Sequence, residues 1–205
     1  MQTKIYDVNE LNEIVNALND GQIIAFPTDT VFGLGCLYDL KEAILKIKEA
    51  KNRNLNKSLP MMCSGLDMIQ KVAITNSKSE SLIKELTPGA LTLILKKKDD
   101  VPSFVTDGKS NIAIRIPDDP WILSLLNKLN KPMLVTSANI SNNPSLQHFE
   151  DVYASLNGRI DGIVKGEAKS NIASTIVDTT NNYQIIREGK IKASDIKSII
   201  ERVEE

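Results

Sequence analysis

Residues 8–27, VNELNEIVNALNDGQIIAFP, change their hydrophobic period part-way along. Val8, Leu11, Ile14, Val15 and Leu18 recur at the spacing of one helical face. Asp7, with Glu10 three positions on, has the pattern of a capping box at the start of that helix. Asp20-Gly21 is a pair that stops a helix. Gln22 to Phe26 is then an apolar run of strand length, closed by Pro27. A helix feeding straight into a short buried strand is the building unit of an α/β or α+β domain.

The same alternation extends outward. The sequence begins MQTKIYDVNE, with no basic start followed by an apolar run, so no secretory leader is expected. Downstream, Gly33 and Gly35 stand between apolar residues of Thr28 to Cys36, where a missing side chain lets backbone pass close to another chain or a ligand. Asp39 and Glu42 signal a helix running to about Ala50. Leu59 to Cys63, Leu91 to Lys96, Asn111 to Ile116, Met133 to Thr136, Ile160 to Val164, Ser174 to Asp178 and Gln184 to Arg187 are predicted strands. Helices are predicted after Ser64, from Asp119-Pro120 with proline at its first turn, around Phe149 to Leu156, and after a capping Ser194. The pattern predicts an α/β (α+β) fold with a twisted mixed sheet of about seven strands and six or seven helices. No linker or repeat interrupts residues 1–205, so one domain is expected.

Composition narrows the function. The chain has 205 residues, 41% of them hydrophobic, with 25 Lys and Arg against 26 Asp and Glu and a net charge of -1. A globally basic nucleic-acid binder is not indicated. No apolar run approaches membrane-spanning length, and a cytoplasmic location is expected. Cys36 and Cys63 lack metal or redox spacing and are expected to be reduced and structural. No phosphate-loop or dinucleotide glycine pattern occurs, and no HExxH, paired-cysteine or EF-hand spacing, so no protein metal site is expected. His148 is the one histidine. It follows Asn142-Asn143-Pro144 with no partner nearby in sequence, which suits an exposed or capping role better than catalysis.

What remains is a set of polar residues at the ends of apolar strands, where α/β sheets gather their ligands. Thr28 and Thr30 follow the first strand, and Lys51, Arg53 and Lys57 follow a helix. Ser137 and Asn139 end a strand, Ser174 and Thr175 open one, and Arg187 closes one. Each has an ordinary reading: helix-dipole partner, turn cap, hydroxyl bonded to backbone, or solvated hairpin. Arg115 is less easily dismissed. It lies between Ile114 and Ile116, and a buried arginine needs an anionic partner.

At these residues the sequence resembles the YrdC/TsaC family of L-threonylcarbamoyladenylate synthases. The resemblance runs in order through FPTDTVFGLGC, KNRNLNKSLPMM, LTPGALTLIL, NIAIRIPDDP, VTSANISNNP and STIVDTTNNYQIIREGKI. It implies a concave, positively charged groove on a twisted sheet, and a nucleotidyltransferase reaction. L-threonine is carboxylated on its amine by bicarbonate or CO2, and the carbamate attacks the α-phosphate of ATP, with Mg²⁺ accompanying the nucleotide. Separate tRNA-modification proteins then place the threonylcarbamoyl group on an adenosine of tRNA. Lys51 and Arg53 would be the catalytic phosphate-holding cations. Thr28, Thr30, Arg115, Ser137 and Ser174 would face threonine, and Lys57, Asn139, Thr175 and Arg187 the nucleotide. Asn54 and Ser58 stand where the family usually has prolines, which implies a more mobile loop. The block at Leu86 to Thr92 lacks the family's tryptophan and second proline.

The missing base agrees with that chemistry, since a carbamate is already an oxygen nucleophile and transfer at phosphorus relies on positioning and charge. Two other readings remain open on the sequence. One is an RNA-binding module of the same fold, using Lys51 to Lys57 and Lys96-Lys97-Lys98 for weak phosphate contacts. The other is a paralogous ATP-using enzyme with a different small substrate.

Overall fold

The computed structural model describes residues 2–170 and 173–203. Its strands are β1 (Lys4–Tyr6), β2 (Ile24–Phe26), β3 (Gly33–Leu37), β4 (Met61–Met62), β5 (Ala73–Ile74), β6 (Leu91–Lys97), β7 (Asn111–Arg115), β8 (Met133–Ser137), β9 (Gly162–Val164), β10 (Thr175–Asp178) and β11 (Gln184–Arg187). The helices are α1 (Leu11–Asn19), α2 (Lys41–Ala50), α3 (Leu66–Gln70), α4 (Ser77–Leu86), α5 (Pro120–Leu129), α6 (Phe149–Leu156) and α7 (Ala193–Arg202), with a 3-10 turn at Ser103–Val105. The strands form one mixed sheet in the order β1-β9-β2-β3-β8-β4-β7-β6-β10-β11, and β5 pairs with β6.

The α/β class is as predicted, but among the described residues the sheet has eleven strands rather than about seven. Among the strands not predicted, β1 has three residues and β5 two, too short to carry a period of their own. β3 is a strand despite its glycines, because neighbours on both sides approach the bare backbone. A Cβ on Gly35 would lie 2.8 Å from Met133 Cε and 3.0 Å from the Phe26 ring. Helix α4 escaped the sequence reading, although its Asn76 cap accepts from Ser79 N while Ser79 Oγ accepts from Asn76 N. The first helix starts at Leu11, not Val8: Glu10 folds back on Asp7 N, and Asp7 Oδ1 is taken by Val8 N. Ser194 does not cap α7; Glu188 Oε2 accepts from Ala193 N instead.

Alternation along the strands sends side chains to two apolar clusters on opposite faces. Ala25, Leu34, Cys36, Leu91, Leu93, Ile112, Ile114 and Leu134 face one way, packing with α2, α3, α4, α6 and α7. Ile24, Phe26, Leu37, Met133 and Val135 face the other way, under α1 and α5. Full burial of a side chain such as Ile14 or Leu18 stabilises by roughly 1.5–3 kcal/mol. On this second face α1 and α5 pack over the β2–β3–β8 side, while Met62, Thr92 and Arg115 on β4, β6 and β7 line an open cavity. The site therefore lies on the part of the sheet that these helices leave free. Cys36 and Cys63 are both buried as free thiols, and burial pushes both thiols up, Cys36 to about 12.

Gly35→Val should overpack the gap between Phe26 and Met133 by ~1–3 kcal/mol and lower the melting temperature by roughly 3–10 °C. A melting temperature equal to wild type would contradict this close packing.

Candidate active site

One cavity lies on this face and a second adjoins it at the end of α2. The first, of about 270 Å³, is lined by Thr28, Thr30, Gly33, Met62, Thr92, Arg115, Ser137, Ser145, Ser174 and Arg187, among others. The second, of about 610 Å³, is lined by Lys51, Arg53, Lys57, Ser137, Asn139, Ser141 and Ser145, with neighbouring asparagines. Ser137 and Ser145 belong to both walls.

In the first cavity, the turn after β2 is organised by hydroxyls. Thr28 Oγ1 donates to Val31 O at 2.6 Å and accepts from Thr30 N at 3.0 Å. Its single proton is thus used, so at the 3.1 Å contact between the two hydroxyls Thr30 is the donor. Thr30 Oγ1 in turn accepts from Arg115 Nη1 at 2.9 Å. Arg115 also donates through Nε to Gly89 O at 3.0 Å and through Nη2 to Asp29 Oδ2. Arg115 and Asp29 are 8% and 9% exposed, so the anion that the buried arginine needs comes from within the fold. Burial pulls the guanidinium below its ordinary value and Asp29 pulls it back; an arginine stays charged regardless. Asp29 Oδ2 also accepts from Asp118 N, while Oδ1 has no hydrogen-bond partner among the described residues.

Across the cavity, Arg187 donates from Nε and Nη2 to Ser174 O at 3.2 and 2.9 Å, and Ser174 Oγ lies 2.8 Å from Thr92 Oγ1. Ser174 and Thr175, predicted as a pair, are separated by strand alternation. Thr175 registers with Leu91 on the opposite face and lines neither cavity. Its hydroxyl donates to Ile191 O at 2.7 Å and accepts from Gly189 N and Ile191 N, so it ties the chain after β11 to the sheet.

The second cavity is built on the end of α2. Lys51 is 1% exposed, and its ammonium donates to Ser137 O, to Asn139 O at 2.6 Å and to Asn139 Oδ1 at 3.3 Å. Asn139 Nδ2 donates onward to Ile140 O and Asn143 O, and Lys51 O accepts from Ser141 N. Burial, with the charge of Arg53 adding to it, lowers the Lys51 ammonium to about 8. Arg53 is half-buried and donates to Lys57 O at 3.1 Å and Ser58 O at 2.9 Å; burial lowers its guanidinium too. Lys57 is exposed on the rim.

Of the sequence-predicted residues, the first cavity gathers Thr28, Thr30, Arg115, Ser137, Ser174 and Arg187. The second gathers Lys51, Arg53, Lys57 and Asn139. Asp29, Met62, Thr92 and Ser145 were missed. Thr92 was legible as one hydroxyl in an otherwise apolar strand, and Asp29 as the acid between two site threonines; Met62 and Ser145 carried no local signal. Among the described residues no cluster of three or more His, Cys, Asp or Glu side chains is arranged to hold a metal ion. His148 is exposed, with Nδ1 3.6 Å from Glu167 Oε1.

Comparison with known proteins bears on this arrangement. The Sua5/YciO/YrdC family model, described as telomere recombination, matches residues 16–189. The chain is 37% identical over 189 residues to a threonylcarbamoyl-AMP synthase of Bacillus subtilis, covering 89% of this chain and 54% of that one. It is 30% identical to a synthase of Vibrio campbellii, covering 89% of this chain and all of the relative. The chain thus spans about half the length of some curated relatives, 54% and 55% of the Bacillus subtilis and Pyrococcus abyssi proteins, and the full length of others. Sua5 of P. abyssi complexed with L-threonine superposes with a TM-score of 0.89 at 30% identity, over 97% of this chain and 61% of that one. YciO of E. coli shares the fold, with a TM-score of 0.86 at 24% identity over 95% and 99% of the two chains.

Asp29→Ala would leave the Arg115 charge buried without its anion and should cost ~3–5 kcal/mol of stability in urea unfolding. A loss below ~1 kcal/mol would show that Arg115 does not depend on Asp29.

Proposed function

The chain belongs to the Sua5/YciO/YrdC family, and from that we propose that it is a threonylcarbamoyl-AMP synthase. It would form L-threonylcarbamoyladenylate and pyrophosphate from L-threonine, bicarbonate or CO2, and ATP. The observation that carries the reading is the shared wall at Ser137 and Ser145, which sets a hydroxyl-rich cavity beside a cationic one. Synthases among the relatives, and a Sua5 neighbour bound to L-threonine, support it.

On this reading threonine lies in the first cavity. Thr28, Thr30, Ser137 and Ser174 face its polar groups, and Arg115 attracts its carboxylate through N–H groups not committed to Asp29. A site that hydrogen-bonds a substrate hydroxyl rejects analogues lacking it far better than an apolar wall rejects an extra methylene. The triphosphate lies in the second cavity, against Arg53 and Lys57, with Arg187 and Asn139 toward the nucleotide and Lys51 supplying charge at the junction. Thr175 acts indirectly, by holding the chain beside Arg187. Mg²⁺ arrives with ATP as part of the substrate; the cavity's amides, hydroxyls and cations suit phosphates that bring their own metal.

The carbamate forms when the threonine amine adds to CO2 and loses a proton. One carbamate oxygen then bonds to the α-phosphorus as the bond to the pyrophosphate oxygen breaks. No side chain has to remove a proton in that second step, in keeping with a site that contains hydroxyls and cations rather than a histidine base. We further propose that residues 1–205 form one domain working in the cytoplasm, and that tRNA-modification proteins consume the product. No helix among the described residues is long and apolar enough to cross a membrane. Direct contact with RNA would be weak, since within the Lys96–Lys98 run Lys97 Nζ is turned back onto Lys98 O and Val101 O.

Exchange of labelled pyrophosphate into ATP should require both L-threonine and bicarbonate. Its kcat/KM for ATP should fall as pH rises through about 8, where the free protein's Lys51 loses its charge. The same shift has the opposite sign for stability. The unfolded chain holds the lysine proton up to 10.5 and the folded one only to about 8, so folding gains stability across that window as pH rises. Exchange with ATP alone would sink the assignment, and a flat profile to pH ~10 would contradict the role given to the Lys51 charge.

A further inference from the structure

The loop from Asn52 to Ser58, which carries Arg53 and Lys57, is held from behind by a second lysine. Lys48, on α2, is 2% exposed, and its Nζ donates to Leu55 O at 2.5 Å and to Asp107 Oδ1 at 2.6 Å. The Lys48 carbonyl accepts from Arg53 N at 2.8 Å. One residue therefore grips the loop twice, at its start through the backbone and at its apex through the ammonium. Asp107 follows the 3-10 turn in the left-handed region, at φ 52°, where Asp and Asn are tolerated. Next to it, Ser58 Oγ donates to Thr106 O at 3.1 Å, so the far end of the loop is tied to the same segment. Leu55 is 60% exposed, so its side chain does not seat the apex; its carbonyl does.

Neither Lys48 nor Asp107 lines either cavity. We propose that the Lys48–Asp107 pair is a positioning device: it fixes the loop apex against α2 and so presets the spacing of Arg53 and Lys57 for a triphosphate. Lys48 is buried and Asp107 half-buried, and such a pair is weak as a source of stability, because desolvation offsets its attraction, but it fixes geometry. The loop needs that, since no residue from Asn52 to Ser58 is a proline and no ring fixes φ along it. A loop ordered before binding spares the ligand that entropy, so the effect belongs on ATP affinity and not on threonine. The inference rests on the synthase reading for its ligand.

The test is calorimetric titration of Mg·ATP and, separately, of L-threonine into the wild type, Lys48→Met, Asp107→Asn and Lys48→Met combined with Asn54→Pro and Ser58→Pro. Lys48→Met should weaken ATP binding roughly tenfold or more and leave threonine within about twofold. Asp107→Asn, which keeps the shape and the left-handed conformation, should weaken ATP binding in the same direction and serves if Lys48→Met fails to fold. The two prolines give up the Ser58 Oγ–Thr106 O and Asn56 N–Asn54 Oδ1 bonds but no backbone hydrogen bond that Asn54 N or Ser58 N is seen to donate; they fix φ at both positions and should restore most of the lost ATP affinity. Unchanged ATP affinity in folded Lys48→Met or Asp107→Asn would overturn the proposal. So would an equal loss of ATP and threonine binding, which marks general loosening. A wild type that binds neither ligand would bring down the synthase reading, and this proposal with it; that outcome is read on the wild type alone.

Discussion

The ammonium of Lys51 joins the end of α2 to the turn after β8. It is sealed from solvent and surrounded by the carbonyls of Ser137 and Asn139 and the Asn139 amide oxygen. Those bonds set how closely the loop carrying Arg53 approaches the strand end carrying Ser137. They also explain why the hydroxyl cavity and the cationic cavity share a wall. Burying a charge under three oxygen acceptors, with Arg53 nearby, is costly, and the depressed ammonium is the trace of that cost. The residue resembles a structural bolt as much as a phosphate ligand. Truncating it would disturb the walls of both cavities, and a phosphate oxygen reaching it would have to replace one of its present partners.

The second constraint is the pleat. Because successive side chains alternate, one face of β4, β6 and β7 presents Met62, Thr92 and Arg115 while the other presents Met61, Leu91, Leu93, Ile112 and Ile114 to the core. Arg115 therefore sits in an apolar strand without entering the apolar core, and its charge is met by Asp29 from the turn after β2. That pairing lowers the net positive charge available to a ligand, so the attraction for phosphates falls mainly on Arg53 and Lys57.

Much of this was legible in the sequence and some was not, for identifiable reasons. The helix-to-strand switch at Asp20-Gly21, the Asp119-Pro120 helix start and the LTLIL and NIAIR strands are local signals, and they hold in the structure. The short strands Lys4–Tyr6 and Ala73–Ile74 are defined by their partners, so no local pattern reports them. Arg115 announced that it needed an anion, but which anion depends on a contact across 86 positions of chain. Alternation allows only one of two adjacent strand residues to face a given side, so Ser174 lines the hydroxyl cavity and Thr175 does not. The proline-free loop suggested mobility. What offsets it, Lys48 reaching Asp107, spans 59 positions and leaves no mark in either segment.

Joining two cavities through one wall matters if one reaction spans them, with a carbon from bicarbonate, an amino acid and a nucleotide ending in one molecule. The most direct measurement is mass spectrometry of the product formed from ATP, Mg²⁺, L-threonine and ¹³C-bicarbonate. A threonylcarbamoyl adenylate heavier by a single isotopic carbon than that made from unlabelled bicarbonate should appear, and should be absent when either threonine or bicarbonate is left out. An adenylate lacking the label, or one formed equally well with another amino acid, would contradict the account.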